Sequence, residues 1–224
     1  MALIRNMSLS AVLLGLFAIM GTAMVALTFD NTAERIAANE RAFLLKSLHT
    51  LITPDMHDND LFTDIVQITD KDNLGSKKPV NIYRARKDGK NIAAIITAIA
   101  PDGYNGNIEL LIAIDYSGKL IGVRVTKHKE TPGLGDAIET TRSNWILDFN
   151  GKTLDNPTKQ GWRVKRDGGV FDQFTGATIT PRAIVKAVYK ALQYYDHHKM
   201  MIYNHVTMKM MHESHNDKGQ HGDE

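Results

Sequence analysis

The chain has 224 residues, no cysteine, ten methionines and nine histidines. The lack of cysteine excludes Cys-ligated iron–sulfur clusters, thiolate zinc sites and thiol redox chemistry in this chain. Its 27 basic and 25 acidic residues nearly balance, and the net charge of +2 gives no reason to expect nucleic-acid binding.

Residues 1–30 predict a membrane anchor. No charged residue occurs from Asn6 to Phe29. A helix of this length spans a hydrocarbon core of about 30 Å at about 1.5 Å per residue. A cleaved signal peptide has a shorter apolar region and a small-residue cleavage site, so a retained anchor is favoured. Arg5 before the apolar stretch and Asp30 after it favour a cytoplasmic N-terminus and an exported C-terminal part.

Residues 31–79 are predicted to form a helical connector. Apolar residues recur at helical spacing over Asn31–Leu51, and Pro54 ends this helix. The polar, mixed residues 55–78 favour no particular element.

An antiparallel sheet is predicted next. Alternating strand patterns occur on both sides of two turn signals, Asp88-Gly89 and Tyr116-Ser117-Gly118. The four predicted strands are Val80–Lys87, Asn91–Ala100, Asn107–Asp115 and Lys119–Lys127.

Helices are predicted after the sheet. Asp136 caps a helix that runs to about Phe149, and Trp162–Lys165 favours a short strand. Thr180 caps a last helix, with Pro181 in the preferred first position. The exported part is therefore predicted to be α+β, built on antiparallel strands and packed helices.

Residues 80–198 form the predicted domain, and residues 199–224 form a polar tail rich in histidine and methionine. We expect the last ten residues to be disordered. The histidine spacing matches no specific ligand pattern, so no metal site is predicted. The histidines concerned are His197, His198, His205, His212, His215 and His221.

One candidate binding segment is Asp172–Pro181. Gly176 lets a ligand approach the backbone closely. Thr178 lies just ahead of the predicted helix, where unpaired N–H groups and the helix macrodipole favour an anion. The hydroxyls of Thr175 and Thr180 can donate further hydrogen bonds. Threonine-rich turns also serve as ordinary helix caps, so this segment alone leaves both interpretations open.

A second candidate is the loop His128–Gly135, which leaves a strand and enters a helix. Two glycines flank Leu134, so its apolar side chain can lie against a flat ring while the backbone stays open. Pro132 stiffens the turn. An ordinary strand-to-helix loop would have the same composition.

Two more residues are ambiguous. Tyr104 follows a Pro-Asp-Gly turn and either stacks on a ligand or covers the core. Lys165 precedes the threonine-rich segment and either lies near a phosphate or flavin edge or is solvated.

Together these segments resemble the FMN-binding domain family. The motifs are Glu-Thr-Pro-Gly-Leu-Gly at 130–135 and Thr-Gly-Ala-Thr-Ile-Thr at 175–180. A longer match, which includes Ala-Pro-Asp-Gly-Tyr at 100–104, resembles the G subunit of the Rnf/Rsx ion-translocating oxidoreductase from the anchor to about Tyr195. The C subunit of the sodium-pumping NADH:quinone oxidoreductase shares the shorter motifs but is usually longer.

The resemblance implies a covalent flavin. In this family a flavin transferase recognises Asp-x-x-Ser/Thr-Gly-Ala-Thr and joins FMN to the final threonine by a phosphodiester. Attachment then falls on Thr178, and Asp172 serves recognition by the transferase. The other implied cofactor contacts are Tyr104, Glu130, Thr131, Leu134, Gly135, Trp145, Lys165, Thr175, Gly176, Ala177 and Thr180.

The resemblance also implies a role. The chain would pass electrons one at a time within a complex of membrane and peripheral subunits, which couples electron flow between ferredoxin and NAD to Na⁺ or H⁺ translocation. It would not be catalytic alone. It would lie in the bacterial inner membrane, with a periplasmic C-terminal domain. Two alternatives remain: a stand-alone membrane flavin reductase and a non-redox assembly module.

Overall fold

The computed structural model describes residues 2–204, apart from the side chains of residues 2–6, 8–10 and 30. The chain divides into two compact units between Lys46 and Ser47. The predicted disorder of the last ten residues, and His205, His212, His215 and His221, lie outside the described residues.

The first helix, α1, runs from Ala2 to Leu51 without a break. It therefore unites the predicted anchor with the predicted helix over Asn31–Leu51. From Ala11 onward it is long and apolar enough to cross a membrane, as judged by length and composition. Leu48 and Leu51 at its end are buried in the second unit, as is Ile52.

The second unit is built on one antiparallel sheet of five strands in the order β1-β2-β3-β4-β5. The four predicted strands correspond to β2 to β5, and the antiparallel α+β prediction is confirmed. The strands are β1 (Ile65–Ile68), β2 (Val80–Lys87), β3 (Lys90–Gly103), β4 (Gly106–Asp115) and β5 (Leu120–Lys127).

Two turn signals set the register of this sheet. Asp88 and Gly89 have φ of 51° and 70°, the left-handed conformation that a two-residue hairpin requires. In the second turn, the Asp115 carboxylate accepts the backbone N–H groups of Ser117 and Lys119 at 2.8 and 3.0 Å. Each hairpin therefore holds its own strands together through local contacts.

The sheet begins earlier than expected. Strand β1 pairs with β2 from Ile65↔Tyr83 to Ile68↔Val80, so part of the predicted 31–79 connector belongs to the folded domain. A short helix, α2 (Lys71–Leu74), follows, with Asp70 capping its first N–H groups. Four residues are too few to show a clear alternation in the sequence.

The predicted helix from Asp136 to Phe149 is absent as one element. Two 3₁₀ helices, Gly135–Ile138 and Trp145–Phe149, stand in its place. The hydroxyl of Ser143 donates to the carbonyl of Ala137 at 2.6 Å and accepts the N–H of Trp145 at 3.1 Å. These local bonds compete with the helical ladder and break the segment in two.

The predicted strand at Trp162–Lys165 is reduced to one bridge between Val164 and Phe171. Lys165 instead begins the 3₁₀ helix Lys165–Asp167, which follows another one at Lys159–Gly161.

The last helix, α3, spans Ile179–Asn204 and differs from the prediction at both ends. Thr180 lies inside the helix and is not its cap. Pro181 remains in the first turn, where a missing N–H removes no helical bond. Residues 199–204, predicted as tail, continue the helix, and Ile202 and Tyr203 are buried.

The core lies between α3 and the sheet. The predicted apolar face of α3 is buried, with Ile184, Val185, Val188 and Leu192 at most 1% exposed. Strand residues such as Ile96 belong to the same cluster. Aromatic rings extend this core beyond the sheet, as Phe149 stacks on Phe171 at 4.6 Å between centroids.

The C-terminal end of α3 is held by two arginines of β2. Arg84 is 1% exposed and donates to the carbonyl of Ile202 at 3.0 Å, while Arg86 donates to that of Tyr203 at 3.1 Å. Both arginines also pair with Asp64. Cations at this position stabilise the negative end of the helix and explain why it continues past the predicted boundary.

Candidate cofactor site

A cleft of about 310 Å³ brings together the two loops that the sequence singled out. One wall comes from the loop after β5, and the other from the entrance to α3. The lining residues are Tyr104, Glu130, Thr131, Leu134, Gly135, Gly176, Ala177, Thr178, Ile179 and Thr180.

The rim of the cleft is apolar and open to solvent. Tyr104 is 65% exposed, and Leu134 and Ile179 are each 46% exposed. Exposure of large apolar side chains to water is unfavourable, so a flat aromatic ligand that covered them would be stabilised by their burial. Ile179 was missed in the sequence, because an apolar residue in the first turn of a helix is normally expected in the core.

Glu130 lies at the base of the cleft and is 4% exposed. One carboxylate oxygen accepts the backbone N–H of Asn105 at 3.0 Å, and the other accepts the hydroxyl of Thr180. The side chain therefore joins three separate segments. A buried carboxylate needs such donors, because an unpaired charge is costly away from water.

His128 holds this loop from behind. Its Nδ1 accepts the backbone N–H of Glu130 at 3.0 Å, which leaves Nε2 to donate to the Glu139 carboxylate at 2.7 Å. This bond from His128 is the main reason that the pKa of Glu139 is lowered. The loop that forms one wall is thus fixed by its own backbone and by a side chain outside the cleft.

Two glycines keep the cleft open. A Cβ at Gly135 would stand 2.9 Å from the Cβ of Glu130 and 3.1 Å from the hydroxyl oxygen of Thr180. Gly176 has φ of 81°, a conformation that residues with a Cβ rarely adopt, and a Cβ at this position would lie 3.5 Å from Leu134. Larger residues would enter the space between the two walls.

Thr178 immediately precedes α3 and lines the cleft. The first turn of a helix has N–H groups without intrahelical partners, and the aligned peptide dipoles add partial positive charge there. A phosphate beside Thr178 would meet both features. The residues present therefore fit FMN, with an apolar rim for its ring system and a helix entrance for its phosphate.

Four residues of the implied set lie outside the cleft lining. Thr175 is exposed on the turn before Gly176. Lys165 pairs with Asp172 at 2.6 Å, and both side chains are more than half exposed. Trp145 is buried and donates its ring N–H to the carbonyl of Asp172 at 2.8 Å, so it supports the segment from the core.

Comparisons with known proteins agree with this geometry. The FMN-binding domain model matches residues 103–193, and the RnfG N-terminal region model matches residues 1–51. The class is therefore a protein with an FMN-binding domain and an N-terminal helix apolar enough to serve as a membrane anchor.

Relatives extend the match to nearly the whole chain. The G subunit of the ion-translocating oxidoreductase complex of Shewanella baltica is 48% identical over 86% of this chain and 91% of its own length. The corresponding G subunits of Aliivibrio fischeri and Vibrio cholerae are 45% and 47% identical, over 88% and 87% of this chain and 94% and 93% of their own lengths. The chain belongs to the family of G subunits of ion-translocating oxidoreductase complexes.

Among solved structures, Shewanella oneidensis NqrC aligns with a TM-score of 0.46 and 22% identity, over 66% of this chain and 76% of that one. The predicted family and FMN-binding domain are confirmed by the sequence comparisons, and both are those expected of a flavin electron-transfer subunit.

Proposed function

We propose that this chain carries FMN joined by a phosphodiester to Thr178 and transfers electrons within a membrane-bound oxidoreductase complex. The observation that carries the proposal is the position of Thr178, in a cleft and directly before a 26-residue helix. A diester at its hydroxyl would keep one negative charge in the favourable field of the helix N-terminus.

The other cleft residues would contact the ring system of FMN or hold the cleft in shape. Leu134, Ile179 and Tyr104 would contact the ring system, while Gly135 and Gly176 leave room for it. Glu130 and Thr180 hold the two walls at a constant separation through their hydrogen bond. Bound FMN would supply the one-electron chemistry, and the protein supplies attachment, orientation and the local electric field.

Attachment requires an enzyme that reads the exposed surface before Thr178. Asp172 suits this role, because its side chain is 59% exposed and forms an ion pair with Lys165. Exposed ion pairs contribute about 0–1 kcal/mol, so a flavin transferase could displace Lys165 at little cost. Thr175, exposed on the adjoining turn, would be read by the same enzyme.

The rest of the role follows from the family. The other membrane and peripheral subunits would oxidise and reduce ferredoxin and NAD and translocate Na⁺ or H⁺. The segment 1–30 would cross the bacterial inner membrane, with its N-terminus in the cytoplasm and the domain in the periplasm. Covalent attachment suits an exported domain, because cytosolic FMN cannot refill it.

Thr178→Val tests the attachment site. It keeps the side-chain shape and removes the nucleophilic hydroxyl, so covalent flavin should fall below detection by in-gel fluorescence and intact-protein mass. Thr178→Ser is the matched control, since it keeps a hydroxyl and should retain flavin. Thr175→Ala should reduce the yield less. Flavin retained on Thr178→Val would place the attachment on another residue.

A further inference from the structure

A groove of about 550 Å³ runs along the exposed side of α3, outside the cofactor cleft. We call it the basic groove, because five of its lining side chains are cationic and only one is a carboxylate. These charged residues are Lys159, Arg163, Asp167, Arg182, Lys186 and Lys190.

Three of the cations already contact neighbours. Arg182 donates to both oxygens of Asp167 at 2.6 Å, and Lys186 pairs with Asp102 at 2.6 Å. Lys190 donates to a backbone carbonyl at 2.7 Å. These contacts hold the side chains in place along the groove but neutralise only part of the charge.

Lys159 and Arg163 are the least compensated cations of the groove, since Arg163 interacts with Asp167 only at longer range. Both side chains are exposed, and neither forms an ion pair with any carboxylate among the described residues. They lie at the opposite side of the groove from α3. The groove therefore has cations on both borders, and the two that form no ion pair among the described residues lie on the border that α3 does not form.

The floor of the groove is aromatic and recessed. The rings of Trp162 and Tyr189 are 5.5 Å apart, and Trp162 is only 5% exposed. A surface that inserts into lipid presents protruding apolar side chains. Here the cations protrude and the apolar groups lie below them, which favours a complementary protein surface over a bilayer.

The groove begins next to the cofactor cleft. Arg182 follows the cleft residue Ile179 by three positions in α3, so the two side chains are neighbours on the helix surface. A protein seated in the groove would lie beside the cleft opening. This is where a protein that exchanges electrons with a group in the cleft has to approach.

We propose that the basic groove docks an acidic surface of the redox partner that exchanges electrons with this subunit. The inference rests on the proposed function for the identity of that partner. Complementary charge would steer the partner and set its orientation. The recessed Trp162 and Tyr189 would give the contact an apolar centre inside a charged border.

Zero-length cross-linking tests the contact in the assembled complex in native membranes. A carbodiimide joins a lysine amine to a carboxylate that touches it, so Lys159 should cross-link to an acidic peptide of another subunit. Lys159→Arg keeps the charge and lacks the amine, so it should abolish this cross-link. Absence of any cross-link from Lys159, Lys186 or Lys190 to another subunit would overturn the proposal.

Charge reversal tests the functional consequence. The double variant Lys159→Glu/Arg163→Glu should slow reduction of the flavin by the rest of the complex by about tenfold at low ionic strength, and the difference should shrink in high salt. Lys77→Glu/Lys90→Glu is the matched control, because both lysines are exposed and lie outside the groove. Wild-type rates in the groove variant would contradict the proposal.

Reconstitution in neutral and anionic vesicles tests whether the groove binds lipid instead of a protein. A defect of the charge-reversal variant that appears only with anionic lipid would mean that the groove faces the membrane and would overturn the proposal.

In-gel flavin fluorescence of each variant tests the cofactor assignment. Flavin retained without cross-linking rejects the docking surface alone, whereas a wild-type chain without flavin rejects the proposed function.

Discussion

Glu130 and Thr180 form the contact that closes the base of the cofactor cleft. Thr180 is fully buried, and its hydroxyl donates to a carboxylate that is itself 4% exposed. The bond joins the loop after β5 to the first turn of α3, which are 50 residues apart in the sequence. Thr180, which lies in the first turn of α3, thus stabilises the junction between the two cleft walls by donating its hydroxyl proton to Glu130.

Thr180→Val should destabilise the domain by about 1–3 kcal/mol, because it leaves a buried carboxylate oxygen without its donor. Urea unfolding of the full chain in detergent, followed by tryptophan fluorescence, measures the change in free energy of unfolding. Thr180→Ser keeps the hydroxyl and should lose less than half as much. A loss in Thr180→Ser as large as that in Thr180→Val would show that the hydroxyl is not the main contributor.

Exposed charged residues show the limit of residue-level prediction. Lys165 was expected beside the cofactor, yet it pairs with Asp172 outside the cleft lining. A lysine has a long flexible side chain, so it pairs with whichever carboxylate the folded chain brings near it. The sequence alone does not show which carboxylate that is. Gly135 and Gly176 were predictable, because a backbone conformation or a close approach excludes other residues there.

At the scale of elements, the hairpins were the most predictable part of the fold. Their turn residues and alternating strands are local signals, and β2 spans Val80–Lys87 as predicted. Strand β1 and the two 3₁₀ helices were not predictable. Strand β1 forms because it pairs with β2, and the two 3₁₀ helices are separated by the side-chain hydrogen bonds of Ser143. Neither interaction produces a periodic pattern in the sequence.

The C-terminal end of α3 gives a prediction for pH. Burial raises the pKa of Tyr195 to about 12, and burial also raises the pKa of Tyr203. The hydroxyl of Tyr195 donates to the carbonyl of Asp115 at 3.0 Å, so the Tyr203 hydroxyl donates to Tyr195 at 3.1 Å. Both protons are needed for this chain of bonds.

Between pH 10 and about 12 the unfolded tyrosines release protons that the folded ones retain. Rising pH therefore favours unfolding in this window, by up to about 1.4 kcal/mol per pH unit for each tyrosine. Tyr203→Phe removes one of the two protons, so its free energy of unfolding should fall less steeply across the same window. Parallel curves for the variant and the wild type would exclude Tyr203 as a source of the dependence.

On the scale of the whole molecule, the boundary between the two units predicts where the chain can be cut. A fragment that begins at Ser47 keeps Leu48, Leu51 and Ile52, which are at most 4% exposed. It should remain in the supernatant after ultracentrifugation and keep its far-UV circular dichroism, because the exposed apolar part of α1 is gone.

A fragment that begins at Asp55 is the matched control. It lacks those three buried side chains, each of which contributes about 1.5–3 kcal/mol on burial. Its melting temperature should be clearly lower than that of the longer fragment. Equal melting temperatures would show that the end of α1 adds nothing to the domain.

The connectivity of the sheet has a consequence for the order in which the domain assembles. Each strand pairs with the one just before it, so hairpins can close one after another with short loops as the chain emerges. The cleft is different, because Thr180 reaches Glu130, and Thr178 lines the cleft, only once α3 has docked on strands made much earlier. An enzyme that modifies Thr178 before that moment would act on a flexible peptide, and one that acts later would meet the completed wall of the cleft.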